Sequence, residues 1–263
     1  MVFRKCTIGG NAYRGNVGPS LDEAAESNSM FVVGIPVDQV ADEKIPVPGD
    51  SSTDTRVEDD LKMGKSKTPI YGALEKFSDL ALQLDISEAI RSQNTASDFS
   101  TTLIGFFTVL SLCHSVIAAR NPVTGKVEYK AQSPDEAALV QAAAEMGFEF
   151  LGKEKEILSL RTPGSADIEK YELLDILEFT SARKRMSVVV RKLNQQDSSL
   201  LLLTKGADNI IFERLRPGAD ELKNQTEKHL SEFANGGLRT LTLAYKTIPG
   251  SSRFQTFFRF LFF

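Results

Sequence analysis

The sequence is poor in metal-ligating side chains. It has two cysteines, Cys6 and Cys113, and two histidines, His114 and His229. Neither pair sits at the spacing of a zinc or haem site, and two distant thiols give no disulfide framework. Free thiols are expected, in a reducing compartment. Long apolar runs are missing too, since no stretch reaches the roughly 18 residues that span a bilayer. Leu103 to Ala119 comes nearest, but Ser111, His114 and Ser115 interrupt it, so it reads as a buried helix. No cationic start leads into an apolar run, so no signal peptide is evident. Positive charge is also lacking. Thirty-one Lys and Arg against thirty-five Asp and Glu leave a net charge of -4, which argues against a nucleic-acid binder. The single short basic run, Arg183 to Arg185, does not change that.

What is present fits a core-forming chain of 263 residues, long enough for one large domain or two small ones. Glu172 to Asp208 reads as three successive strands: one ending at Phe179, one from Lys184 to Lys192, and one from Leu200 to Thr204. A hairpin whose connection is Thr180 to Arg183 would set Phe179 opposite Lys184. Lys205 leaves its strand just before Gly206, where another group can approach the backbone. A ring flanked by cations suits a nucleotide, whose base stacks and whose phosphates are neutralised. From spacing alone, a core phenylalanine and a solvated basic turn account for the same residues equally well.

The rest of the chain supplies the frame. Phe3 to Gly10 predicts a strand and a glycine turn. Residues 34 to 70 are rich in Pro, Asp, Ser and Lys and read as a mobile insert, in which Ser51, Ser52, Thr53 and Thr55 are candidate phosphosites. Leu74, Phe77, Leu80, Ala81 and Leu84 predict the apolar face of a helix over 71–92, broken near Asp85. A buried helix is expected over 99–119 and a short strand over 127–131. Ser133-Pro134-Asp135-Glu136 has the form of a helix start, with a serine cap, proline at the first position and a capping-box glutamate. Strands are expected at 148–151 and 156–160. Helices follow at 207–215 and 219–234, a glycine stop at Gly236-Gly237, and a last strand over 238–245. Arg239 in that strand reads as a surface charge or as a phosphate contact.

Glu178 to Ser187 (EFTSARKRMS) resembles the nucleotide-domain signature of P-type ATPases, in the form typical of phospholipid flippases, the P4 subfamily. Lys205 to Asp208 (KGAD), Ser133 to Leu139 (SPDEAAL) and Gly236 to Leu241 (GGLRTL) are similar to further blocks of that domain in the same order, and LCHS at 112–115 agrees. The resemblance covers about residues 1–246. It implies an α+β fold, an antiparallel sheet flanked by helices. It divides the chain into residues 1–33 leading from a phosphorylation domain, the insert 34–70, the nucleotide domain 71–248 and an atypical tail 249–263. That tail is a Phe-rich stretch with no counterpart in the family, expected to promote aggregation.

The resemblance also implies the site. Adenine would stack on Phe179, with Lys205 and Gly206 on the pocket floor and Glu136 and Ser181 as polar contacts. Lys184, Arg239 and Thr240 would lie toward the phosphates. Thr180 stands where asparagine or serine is common. The cofactors implied are ATP and Mg²⁺, the metal being held by a phosphorylation domain outside this sequence. The DKTGT, TGE, TGD and GDGxND segments are not found here, so the chain reads as a fragment that binds ATP without turning it over. The implied partners are the phosphorylation and actuator domains and the membrane helices of a parent pump, together with an accessory membrane subunit; nucleic acid is not among them. The parent would be a membrane protein carrying this domain on the cytoplasmic side, with the fragment itself soluble. A cation pump's nucleotide domain and a non-transporting regulatory module stay open as alternatives. The SPDE and RKRMS blocks favour the flippase form over the GEATE and KGAPE forms of cation pumps.

Overall fold

The computed structural model describes residues 1–15, 29–36, 77–92, 97–193 and 199–249. Most of the 34–70 insert with its candidate phosphosites, Leu74 of the first helix, and all of the tail but residue 249 therefore lie outside the described residues.

A nine-stranded sheet runs in the order β2-β1-β3-β11-β10-β9-β8-β7-β6. Its strands are β1 (Val2–Ile8), β2 (Asn11–Tyr13), β3 (Ser29–Pro36), β6 (Glu149–Glu154), β7 (Ile157–Arg161), β8 (Glu169–Leu177), β9 (Arg185–Lys192), β10 (Leu200–Gly206) and β11 (Arg239–Ile248). Strands β4 (Ile117–Arg120) and β5 (Val127–Lys130) form a separate hairpin. From β6 to β11 every pairing is antiparallel, as expected. On the other side β3 lies parallel to both β11 and β1. The 33/34 division expected from the sequence thus falls within β3.

Strand β9 is interior to the sheet, and Met186 to Val190 are buried without a break. A run of that kind, with no polar alternation, marks a strand covered on both faces. One layer over the sheet is α2 (Asp98–Leu112), which packs on β3, β11 and β10 and buries ten of its fifteen residues. Of the hydroxyls taken inside with it, Thr102 donates to the Asp98 carbonyl at 2.7 Å and Thr108 to that of Ile104 at 2.8 Å, while Ser111 donates to the Phe148 carbonyl at 3.2 Å. Phe107 stacks on Phe148 at 4.9 Å between ring centres. Gly105 lets the Tyr245 ring of β11 come so near that a Cβ would lie 2.3 Å from it. Helix α2 ends at Leu112, earlier than expected, and the chain re-enters a strand at Ile117. No helix among the described residues is long and apolar enough to cross a membrane.

Helix α1 (Leu80–Arg91) starts where the Asp79 carboxylate accepts from the Leu82 amide at 3.0 Å. It buries Leu82, Ile86 and Ala89 and leaves Leu80 and Leu84 61 % exposed. The face expected from the sequence is therefore the solvent face. The expected face takes its phase from a helix starting at 71, whereas the helix begins at 80. Phe77 is buried outside the helix, edge-on to Phe3. Asp85 does not break the helix; it accepts from the Tyr13 hydroxyl at 2.5 Å. Helices α4 (Asp208–Phe212) and α5 (Asp220–Asn235) pack on β11, with Ile211 against Ala244 and Leu230 and Phe233 buried from α5. Helix α3 (Pro134–Glu145) follows Ser133.

A candidate nucleotide site at one end of the sheet

The register brings the candidate residues to one end of the sheet. Gly206 pairs with Arg185 on β9 and with Thr242 on β11. Leu177, the last residue of β8, pairs with Ser187. The tips of four strands thus converge there, and the loop after β8 carries Phe179 beside them. Phe179 is 62 % exposed, so the core reading of this ring is overturned. Lys184 does not pair with it. The Lys184 amide donates to the Thr180 carbonyl at 2.7 Å, closing the loop one residue tighter than a Phe179–Lys184 pairing would need. Lys184 and Ser181 are exposed, and Lys184 takes a left-handed φ of 50°. A Cβ on Gly206 would lie 2.7 Å from the Lys184 carbonyl oxygen, so this crossing requires glycine.

Lys205, one residue earlier, is 8 % exposed. A buried ammonium demands a partner, and the partner is Glu136 of α3, whose Oε1 lies 2.5 Å from Nζ. The other oxygen of Glu136 accepts from the Ser115 hydroxyl at 2.5 Å and the Ser115 amide at 3.2 Å. Burial pushes the Glu136 carboxyl up, but the Lys205 charge and the bonds from Lys205 and Ser115 outweigh it and hold the carboxyl below its usual value. The capping-box role is overturned by the same contacts. Ser133 makes no side-chain cap bond, and the carboxylate that would have closed the box is engaged by Lys205 and Ser115.

Arg239, at the start of β11, is 66 % exposed in its side chain and bonds Oδ2 of Asp135 at 2.8 Å. The other Asp135 oxygen, Oδ1, is buried and has no partner. Consecutive carboxylates in the first turn of α3 therefore hold one cation each, Asp135 on β11 and Glu136 on β10.

Under the pair lies a dry floor. The Cys113 thiol donates to the carbonyls of Met186 at 3.7 Å and Leu203 at 3.6 Å, and burial pushes it up to about 11. His114 donates from Nε2 to the Ser111 carbonyl at 2.8 Å and accepts at Nδ1 from the Val116 amide at 3.0 Å. Burial, then the nearby Lys205 charge, lowers it to about 4, so the ring is neutral. With both nitrogens engaged it is a strut between α2 and β4 and not a metal ligand.

Thr240 stands apart, on the wall of a cleft of about 580 Å³ between α4 and α5. Asp208, Glu213 and Glu227 line that cleft against Lys223 alone, an unfavourable field for a polyphosphate. Ser115 and Asp135 are the partners that the sequence did not single out. Asp135 lies inside the SPDE block and could have been flagged as a second carboxylate beside Glu136. Ser115 closes the LCHS stretch, but nothing local marks it as a partner of Glu136.

The family model for the P-type ATPase cytoplasmic domain N matches residues 102–259, more than half of the chain. Among similar proteins, the probable phospholipid-transporting ATPase 11 of Arabidopsis thaliana is 39 % identical over 254 residues, covering 94 % of this chain and 18 % of that protein. The phospholipid-transporting ATPase FetA of Mus musculus is 34 % identical over 259 residues, covering 98 % of this chain and 18 % of its own length. The phospholipid-transporting ATPase dnf2 of Schizosaccharomyces pombe is 46 % identical over 151 residues, covering 57 % of this chain and 10 % of that protein. The chain spans about a fifth of the length of the first and second of these relatives, which match 94 % and 98 % of it. A family match over more than half its length, on a helix-flanked and largely antiparallel sheet, makes this chain a member of the P-type ATPase family, in the part described as cytoplasmic domain N.

Proposed function

We propose that this chain is the ATP-binding domain of an ATP-driven phospholipid transporter. The observation that carries the reading is Phe179: a phenylalanine 62 % exposed on the loop that leaves the sheet at the same end as Lys205. An aromatic ring left in water at converging strand tips is suited to stack a purine, and such stacking contributes about 1–3 kcal/mol per base. Lys205 makes one bond to Glu136 and has two N–H donors left for a ligand. Its charge is already compensated, so its role is to orient the base end. Lys184 and Arg239 are the exposed cations suited to the phosphates, and Ser181 offers a hydroxyl at the margin, whereas Thr240 lies apart from it.

The donors present suit ATP better than a metal. No group of three or more His, Cys, Asp or Glu side chains among the described residues is placed to hold an ion. Mg²⁺ would arrive on the nucleotide and be held by a phosphorylation domain, where it would neutralise charge on the transferred phosphoryl group. This chain would supply binding and orientation, presenting ATP to that domain's aspartate by closure about a hinge. Phospholipid as the transported substrate is carried over from the relatives' names, and the phosphorylation and actuator domains, the membrane helices and an accessory membrane subunit are the partners proposed with it. The domain would sit on the cytoplasmic side of the parent's membrane.

Calorimetric titration of the chain with ATP tests the reading. Phe179→Ala is expected to raise the dissociation constant about 10- to 100-fold. Equal affinity in parent and variant would remove the stacking role.

A further inference from the structure

Given the nucleotide reading above, the difference between the two ion pairs at the start of α3 assigns a role to Asp135. The Glu136–Lys205 pair has side chains only 15 % and 10 % exposed, and Glu136 is also fixed by two bonds from Ser115. Opening it would strand two desolvated charges. The Asp135–Arg239 pair is built differently. Arg239 is 66 % exposed, and the carboxylate meets it through Oδ2 while Oδ1 has no partner. A single contact of this kind lacks the paired N–H···O bonds that make arginine–carboxylate forks strong, and water around the exposed guanidinium weakens it further. Opening it strands no cation, because Arg239 is already in water. Asp135, its side chain 20 % exposed, stays in the first turn of a twelve-residue helix, where backbone N–H groups favour an anion.

We infer that Asp135 is a competitor for Arg239. It occupies the guanidinium while no phosphate is near, and a phosphate group takes its place on binding. Asp135 thereby sets how strongly the site responds to phosphate charge, without touching the base. A polyphosphate, carrying several charges, displaces one carboxylate held by one contact. A neutral ligand such as adenosine has nothing with which to displace it. Glu136 cannot play this part, because its own cation is buried with it.

The experiment is a set of calorimetric titrations of the chain with ATP, inorganic tripolyphosphate and adenosine. It compares the parent, Asp135→Asn, Arg239→Ala and the double variant. Asp135→Asn keeps the side-chain shape and removes the competing charge. It should tighten ATP and tripolyphosphate about two- to five-fold and leave adenosine unchanged, and the gain should vanish in the Arg239→Ala background. Asp135→Ser, which suits a helix start, should reproduce the gain if the asparagine variant folds poorly. Weaker ATP binding with adenosine unchanged would overturn the inference, since the carboxylate would then be aiming Arg239 at the phosphates. Unchanged ATP binding in both variants would overturn it as well. If the parent chain takes up neither ATP nor tripolyphosphate, the nucleotide reading itself falls, and this inference with it.

Discussion

Glu136 and Lys205, 69 residues apart in sequence, meet at 2.5 Å behind the tips of β9 and β10. This pair joins α3 to the centre of the sheet, so it has a structural consequence separate from any ligand.

Removing the carboxylate should cost more than removing the ammonium. Glu136→Ala leaves Lys205 8 % exposed without its anion, and a stranded buried charge typically costs several kcal/mol. We expect a loss of about 2–4 kcal/mol in urea denaturation, less than for a fully dry site because both side chains keep some contact with water. Lys205→Ala leaves Glu136 with its two bonds from Ser115. That variant should keep its circular dichroism spectrum, lose less stability and bind ATP more weakly. Unfolding of Lys205→Ala would make the lysine a structural element first.

Acid should weaken the fold in two windows. His114 is lowered from 6.5 to about 4 by burial and by the Lys205 charge. The fold therefore prefers the neutral ring; its contribution is complete above pH 6.5 and is lost as the pH falls toward 4. A change of that size corresponds to about 3 kcal/mol. Glu136, held below its usual value, acts lower. Its contribution is present above the ordinary glutamate value of 4.5 and is lost as the pH falls through its folded value. Urea midpoints at pH 7 and pH 5 should differ for the parent and much less for His114→Gln. Parallel pH profiles would mean that the imidazole charges inside the fold without penalty.

The orientation of α1 has an equally direct test. Leu82 is fully buried and Leu84 is 61 % exposed. Leu82→Ala should destabilise by about 2–4 kcal/mol, whereas Leu84→Ala should stay within about 0.5 kcal/mol. Chemical denaturation of the two variants decides it, and similar losses would return α1 to the phase counted from residue 71.

The antiparallel strands were readable because their signals are local: apolar runs such as Met186 to Val190, bounded by polar turns, need no distant partner to be recognised. The beginning of α3 was readable for the same reason, since Ser133-Pro134 announces it. The cap itself was misread, because the pull of a buried ammonium on Glu136 comes from residue 205 and leaves no local trace. The face of α1 was missed through its starting point, which depends on Asp79 capping Leu82. The parallel pairing of β3 with β1 and β11 could not be seen either, because parallel neighbours need no shared turn. At the site, Phe179, Lys205 and Gly206 came from type and order, whereas Asp135 and Ser115 entered only through tertiary geometry.

That parallel ladder bears on how the molecule is assembled in time. Met30 of β3 lies beside Arg239 of β11, so nearly the whole chain must exist before the two can meet. Hairpins such as β6–β7 and β8–β9 can close from neighbours within a short stretch, while β3 has to wait for the last strand. Non-local closure of this kind slows folding. During synthesis the edge of β3 stays unpaired on the side that β11 will fill, and nascent chains are most open to mispairing along that edge.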